Sequence, residues 1–529
     1  MTPFGVAAVG ARAVTSGDGD RAVWWRAATT APALMADQPR ACWDVGAVHR
    51  LLHGGRRDDP AAVWSPDAAA PTPLPGRSAG PTLFDTAADP DPVRADGSLS
   101  PDWAAEPWAD RPEPGDDDRA RRWAALAVEV QARQQAELAA LPDPRARPAG
   151  TPLALLTAYA ESAAALLAVE LEHDGLPVDR VAAHELLTAA IGPRPADEAA
   201  ARRERDARVL RHFPEAVDLR NPLQVRALLA RAGIDVPDTR SWRLEPHRAT
   251  SPGVAALLDW RKAERIATTY GWGWLDRHVG PDGRLRGSWS AADGAAGRMT
   301  ASAGLHNLPA ELRPAIAAEP GHVLVRADLG QVEPRVLAVV SGDEALAVTA
   351  REHDLYAPVA AQLGCDRPTA KVAVLAAMYG QTSGTAGAAL TRMERAYPVA
   401  LAHLRAAEVV GRTGGDLRTW GGRLLRFAPP EGDPAAAGRF ARNAVVQGAA
   451  AELFKVWAAT VRSGVAALGG RIVLCLHDEL LLHVPAGAAA AAERLLHEAL
   501  ADSAARWATG SGVRLLADVT AVHRWSDAH

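Results

Sequence analysis

Two short apolar runs, Ile472 to Leu476 and Leu480 to Val484, are separated by only three polar residues, His477-Asp478-Glu479. β-compatible runs broken by a tight polar turn read as a hairpin. Its tip then holds a histidine and two carboxylates between strands apolar enough to be buried. Charge in such a place is costly unless it is paired or bound to metal. Carboxylates at a buried strand end suit a hard cation such as magnesium. A surface hairpin with a charged tip satisfies the same pattern. The rest of the chain must therefore supply a second carboxylate and something anionic to act on.

At 529 residues and 48% hydrophobic content the chain accommodates several domains with full cores. Its 39 prolines, 45 glycines and abundant alanine look like a GC-rich coding bias, which weakens propensity arguments. The net charge of −5 gives no global basic field, so a nucleic-acid partner needs a local patch. Cys42, Cys365 and Cys475 are few, odd in number and far apart, which argues against a disulfide framework or a zinc site and fits a cytoplasmic protein. Met1 to Val14 lacks a basic leader and reads as a strand, not a signal peptide. No run approaches the roughly 20 apolar residues of a membrane span, so no membrane partner is expected.

Residues 1–65 read as a small α/β unit, with strands at Gly5–Val9 and Ala22–Arg26 and a helix from Asp44 to Leu52. Residues 66–117 shift to Pro, Asp, Ala and Gly and read as a linker. A helical segment follows to about 141, ended by Pro142-Asp143-Pro144. Leu155, Leu156, Tyr159, Ala163, Leu166, Leu167 and Leu171 recur at helical spacing. The stretch 199–213 is strongly basic, with Arg202, Arg203, Arg205, Arg208 and Arg211, and reads equally as a binding surface or a solvated helix face. Asn221-Pro222 starts a further helix, and another is expected over 251–278. Then His322 to Asp328 forms a strand ending in a carboxylate, the second acid that the hairpin requires. A helical interval (330–412), a turn at Gly421-Gly422-Arg423, a helix (436–464), the hairpin, a last helix (487–507) and a strand (513–522) complete the chain. Strands on both sides of a long helical insertion imply one sheet assembled from distant segments.

Asp328 and Asp478 each stand at a strand end, and on neighbouring strands both could reach a pair of divalent ions. Two-metal sites serve in-line phosphoryl chemistry. Downstream of Asp366, residues Arg367, Lys371, Leu375 and Tyr379 recur every four positions and share one helix face. Two cations near the positive N-terminal end suit a triphosphate. An apolar residue and an aromatic further along suit a sugar and a base. An amphipathic helix with solvated cations is the alternative, but it leaves the shared stripe unexplained.

Asp328-Leu329-Gly330-Gln331-Val332-Glu333-Pro334-Arg335 resembles motif A of the family A DNA polymerases, the bacterial DNA polymerase I type. Arg367 to Gly380 has the Arg-x3-Lys-x7-Tyr-Gly spacing of their motif B, and His477-Asp478-Glu479 resembles motif C. Gly297-Arg298-Met299-Thr300 with Leu305 to Pro309, the turn Thr419 to Arg423, and Arg439, Asn443, Gln447 and Gly448 are similar to three further family segments. The resemblance covers about 155–529 and rests on six motifs in order. It implies a multidomain α+β and α/β protein built as a right-hand polymerase. The thumb is expected at 151–290, the palm, with an antiparallel sheet, at 291–345 and 425–529, and the fingers at 346–424. It further implies that Asp328 and Asp478 bind two magnesium ions, with manganese as a substitute, and that Glu479 assists. Arg367 and Lys371 would hold a deoxynucleoside triphosphate (dNTP), Lys371 would protonate pyrophosphate, and Tyr379 would lie at the nascent base pair. Glu333 would exclude a 2′-hydroxyl, and Gln331, Leu375 and Tyr356 fall at further nucleotide-binding positions. Arg298, Asn307, Arg439, Asn443, Gln447 and His477 would contact primer-template DNA through the minor groove, where contacts depend little on sequence.

The chain departs from the family pattern at Leu375, where an aromatic is usual, and at Tyr356, where a histidine is usual. Leu329, Gly330 and Pro334 also depart from motif A. Retained catalysis with altered nucleotide affinity or sugar choice is the expectation. Residues 1–65, with 118–150 as the helical end, weakly resemble a truncated 3′–5′ exonuclease-like α/β domain of actinobacterial-type relatives. The first strand has no acid and alanine falls near Trp123 where a metal ligand would lie, so a remnant without nuclease activity is expected. Nothing resembles a 5′-nuclease domain. A monomeric, nucleoid-associated enzyme of DNA repair or replication is implied. A two-metal nuclease and a catalytically impaired primer-template binding protein are the alternatives.

Overall fold

Short, largely apolar runs at the N-terminus form β1 (Pro3–Val9), β2 (Arg12–Thr15), β3 (Arg21–Trp24) and β4 (Cys42–Asp44). They make one sheet in the order β2-β1-β3-β4, antiparallel only between β1 and β2. The computed structural model describes residues 1–36, 38–66, 89–148, 150–293, 296–380, 385–427, 433–476 and 478–528. Asp44 ends β4 and caps α1 (Val45–His53), its carboxylate accepting the Ala47 N–H at 2.7 Å. Helix α2 (Asp116–Ala140) crosses β1 so closely that a Cβ on Gly5 would fall 2.1 Å from the Ala124 carbonyl oxygen. Helix α3 (Leu153–Asp174) packs on β4 and α1.

The core under α2 holds Trp25, Trp43, Trp103, Trp108 and Trp123, with Trp25 stacked on Trp123 at 4.4 Å. Trp103 and Trp108 come from the stretch expected to be a linker. Among residues 89–117 two short helices, Pro101–Ala104 and Pro107–Asp110, drive these indoles inward, so that part of the expectation is corrected. The Pro- and Asp-rich composition concealed two large apolar side chains whose burial outweighs it. Residues 67–88 lie outside the described residues.

The chain divides into two compact units, Met1–Asp174 with Ser288–Ala301 and Gly321–Val522, and Gly175–Gly287 with Ser302–Pro320 and His523–His529. Helix α3, expected to belong to the thumb over 151–290, packs within the first unit. The second unit contains α4 (Arg180–Ile191), and α5 (Glu198–Leu210), α6 (Pro222–Arg231) and α7 (Pro252–Thr269) around Val209, Leu229, Leu244 and Leu257. The helix expected over 251–278 breaks after α7 and resumes as Trp272–His278. At the break, the Tyr270 hydroxyl donates to the carbonyls of Gly304 (2.9 Å) or Asn307 (2.7 Å). The basic stretch on α5 is largely paired internally: Arg202 and Arg205 face Glu264, Arg203 faces Asp197, and Arg208 donates to Glu204.

Back in the first unit, β5 (Trp289–Asp293) and β6 (Arg298–Ala301) form a hairpin. Then come β7 (His322–Leu329), α8 (Val332–Ser341), α9 (Tyr356–Leu363), α10 (Arg367–Tyr379), α11 (Pro398–Thr413) and α12 (Pro434–Val465). The predicted hairpin forms as β8 (Arg471–Leu476) and β9 (Glu479–Pro485), followed by α13 (Ala489–Trp507) and β10 (Ala517–Val522). These strands make an antiparallel sheet in the order β8-β9-β7-β10, so β7 lies between strands that follow it by about 150 and 190 residues. One helix, α3, is long and apolar enough by length and composition to cross a membrane, contrary to expectation. Its apolar window is 67% buried inside the molecule, and it carries the buried Glu161 and Glu170, which identifies it as a core helix.

Candidate active site

Sheet register builds the carboxylate cluster. Asp328 at the end of β7 stands directly opposite Glu479 of β9 on one side and Asp518 of β10 on the other. Directly opposed residues project from the same face of a sheet. The Leu329 N–H donates to the Asp478 carbonyl at 2.9 Å, which fixes the hairpin tip against β7. Burial first, and the negative charge of Asp328 second, push the Asp478 carboxyl up to about 6. Convergent oxygen donors that repel one another are the donor set a hard divalent cation neutralises, so these residues fit magnesium or manganese. His477 lies outside the described residues.

Two arginines around Asp328, Arg326 and Arg335, carry roles that the sequence did not assign. Arg326 lies two residues before Asp328, hence on the same face, and its Nη2 is 3.0 Å from both Asp328 Oδ2 and Glu479 Oε2. A lone cation inside the otherwise apolar run Val323–Ala327 was the available signal. Arg335 is 1% exposed and donates to the carbonyls of Gly330, Ala350, Glu352, His353 and Arg514 at 2.7–3.2 Å. It ties the loop after β7 to the segments before α9 and β10.

The nucleotide-site candidates fall into two groups. In the first, Gln331, at φ 55°, spans the Asp354 carboxylate (3.0 Å) and the Leu355 N–H (2.8 Å). Asp354 in turn accepts from Arg367 Nε at 2.6 Å and Nη2 at 3.1 Å, and Arg367 lies 5.6 Å over the buried Tyr356 ring. Asp354 is thus a further residue the sequence reading did not single out. Its carboxyl is held below the usual range, chiefly by the Arg367 hydrogen bond. Lys371 is exposed one turn along α10, while Leu375 packs half-buried against the core.

In the second group, Glu333 accepts from Arg298 at 2.5 Å and lies 3.5 Å from the Tyr379 hydroxyl. With its amide oxygen turned to the guanidinium, Gln447 accepts from Arg298 Nη1 at 2.6 Å. Arg439, Asn443 and Gln447 follow at four-residue steps along one face of α12, and the Arg439 stem packs over Gly380 at the end of α10. Asn307 is exposed in the second unit, where its carbonyl is held by Tyr270 and by Arg265 (3.1 Å).

Behind the site lies a charged cluster almost without solvent access. Glu161 of α3 accepts from Lys455 Nζ of α12 at 2.7–2.8 Å and forms an ion pair with Arg423 at 2.6 Å. Glu452 receives the Thr419 hydroxyl and the Gly421 N–H (2.8 Å), and burial pushes its carboxyl up to about 7. Arg423 also sits where a Cβ on Gly297 would fall 2.4 Å from its Nε, directly before Arg298. A glycine there lets the guanidinium support the loop that carries Arg298.

The fold is shared with a solved structure, the polymerase domain of Pol1 from M. smegmatis in complex with DNA primer-template and dNTP. The TM-score is 0.61 at 22% identity, over 79% of this chain and 77% of that one. The profile of DNA polymerase family A matches residues 215–527, and the chain belongs to that family. Among curated proteins it is 32% identical over 299 residues to the thermostable DNA polymerase I of Thermus filiformis, covering 50% of this chain and 35% of that one. It is 33% identical over 276 residues to its Thermus thermophilus counterpart (46% and 33%). The DNA polymerase I of Chloroflexus aurantiacus is 29% identical over 282 residues (47% and 30%). The chain thus matches about a third of the length of these relatives.

Proposed function

We propose that the protein is a template-directed DNA polymerase that extends a primer 3′ end with deoxynucleotides. The observation that carries the proposal is the register of β7 against β9, which sets Asp328 beside Asp478 and Glu479, with the α10 stripe in the same unit. Two divalent ions held by Asp328 and Asp478, magnesium or manganese, would lower the pKa of the attacking hydroxyl and neutralise the departing pyrophosphate. Arg367, held in a fixed orientation by Asp354, receives the triphosphate, and Gln331 fixes Asp354. Tyr356 backs the Arg367 guanidinium. The exposed Lys371 ammonium donates its proton to pyrophosphate as the bond between the α- and β-phosphates breaks and the primer oxygen bonds to the α-phosphate. Tyr379 and Leu375 pack on the base and sugar. Glu333, anchored by Arg298 and Tyr379, closes the space a 2′-hydroxyl would need. Arg298, Asn307, Arg439, Asn443, Gln447 and His477 contact the DNA.

We assign the N-terminal sheet and its helices to an exonuclease-like remnant without nuclease activity. β1 carries no carboxylate, and the Asp44 carboxylate is occupied by the N–H groups of Ala27 and Ala47 and by Trp24. The enzyme acts as a monomer in the cytoplasm, in repair or replication. A primer-extension assay with and without nucleotides, on matched and mismatched primers, tests these assignments together. Extension by the native chain, its loss in Asp328→Ala and Asp478→Ala with DNA binding retained, and an intact mismatched end are expected. Full extension by either variant refutes the carboxylate assignment. Degradation of the primer without nucleotides would identify a nuclease instead.

A further inference from the structure

β7 reads His-Val-Leu-Val-Arg-Ala-Asp-Leu, and Arg326 is the one cation in it. Strand alternation puts Arg326 and Asp328 on one face, and register adds Glu479 and Asp518 opposite Asp328 and Leu481 and Thr520 opposite Arg326. The guanidinium is 13% exposed and Glu479 12%, so water screens their contact little. One nitrogen, Nη2, reaches an oxygen of each carboxylate at 3.0 Å, which places a positive charge at the point where the two acids converge. A guanidinium does not lose its proton at any working pH. It therefore cannot leave these oxygens by titration. At a working pH, where the carboxylates are ionised, it leaves them when another cation takes its place.

Resting on the polymerase reading above, we propose that Arg326 is an internal competitor for divalent cations. It occupies Asp328 and Glu479 in the resting enzyme, so a divalent ion binds only by displacing it from those oxygens. Ion uptake by the free protein is then weak, and the centre fills fully when nucleotide phosphates bring further ligands. A brace that merely joins the ends of β7 and β9 would leave ion affinity unchanged when the charge is removed. A competitor would not.

The test is a titration of the full chain with Mn2+ alone, followed by electron paramagnetic resonance, without DNA or nucleotide. The proteins are the native chain, Arg326→Met, Arg326→Gln, Arg326→Lys and Asp328→Ala, each checked for native circular dichroism. Removing a unit charge a few ångströms from a divalent ion strengthens binding by about tenfold to a hundredfold even when the pair is screened as in bulk water. Arg326→Met and Arg326→Gln are therefore expected to lower the Mn2+ dissociation constant by about tenfold or more, with Arg326→Lys close to the native value. The Mn2+ concentration giving half-maximal primer extension should fall in parallel. Two neutral replacements of different shape keep the test decisive if one fails to fold. Unchanged or weakened Mn2+ binding in both overturns the inference while leaving the polymerase reading intact. Equal Mn2+ binding by the native chain and Asp328→Ala refutes the metal centre itself, and the inference with it.

Discussion

Replacing Glu161 with glutamine removes the only charge that Lys455 touches among the described contacts, and half of what faces Arg423. Glu161 is 1% exposed and Lys455 0%, so neither is rescued by water. Removing one partner from such a buried pair costs about 3–5 kcal/mol, because the remaining charge is left in a low-dielectric interior. Two features reduce that figure here. The Lys455 ammonium is already pushed down to about 8 by burial, so shedding its proton near neutral pH costs only about 1–2 kcal/mol at about 1.4 kcal/mol per pH unit. Glu452, whose carboxyl is pushed up to about 7, can ionise and take up part of the Arg423 charge. The expected loss is therefore about 3 kcal/mol at pH 7, smaller at pH 9, where Lys455 is neutral in the variant. Urea unfolding of the full chain, followed by tryptophan fluorescence, measures it in the transition that exposes α3 and α12. Adding Lys455→Met should recover at least about half, since the pair is then replaced rather than broken. A loss under about 1 kcal/mol, or no recovery in the double variant, would show that these charges are not desolvated as packed. Because Arg423 abuts Gly297, the single variant should also weaken primer-template binding through a less restrained Arg298.

The buried Glu452 carboxyl, raised from a usual 4.5 to about 7, makes the folded chain hold a proton that the unfolded chain releases between those values. That contribution is largest below about pH 4.5 and is lost as the pH rises through 7, so Glu452→Gln should flatten a decline of about 2 kcal/mol between pH 5 and 7 in parallel urea titrations. For Glu333→Ala, which frees both Arg298 and Tyr379, discrimination against ribonucleotides in single-turnover incorporation should fall by about tenfold or more while extension with deoxynucleotides persists. Unchanged discrimination would remove Glu333 from the sugar site.

The hairpin, the β7 strand and the α10 stripe were legible in the sequence because each is local: apolar runs of strand length around a polar tip, and a four-residue period. Their boundaries fall within a few residues of those expected. What could not be read was the pairing of distant charges. Nothing local marks Glu161 as the partner of Lys455, 294 residues away, or Arg326 as the partner of Glu479. The α5 arginines could be read as a binding surface or a solvated face because Glu264, which pairs with Arg202 and Arg205, lies on another helix, α7. Trp103 and Trp108 were hidden by composition, since two indoles in a Pro- and Asp-rich stretch do not make a periodic pattern.

The strand order has a consequence for synthesis. β7 emerges from the ribosome long before β9 and β10, the two strands that flank it, and Arg335 waits for the Arg514 carbonyl as well as for Ala350. Pairing across such separations is slow and exposes unpaired strand edges meanwhile. The carboxylate cluster therefore assembles only once the chain has been made through β10. A nascent or prematurely truncated chain would carry Asp328 without a working centre around it.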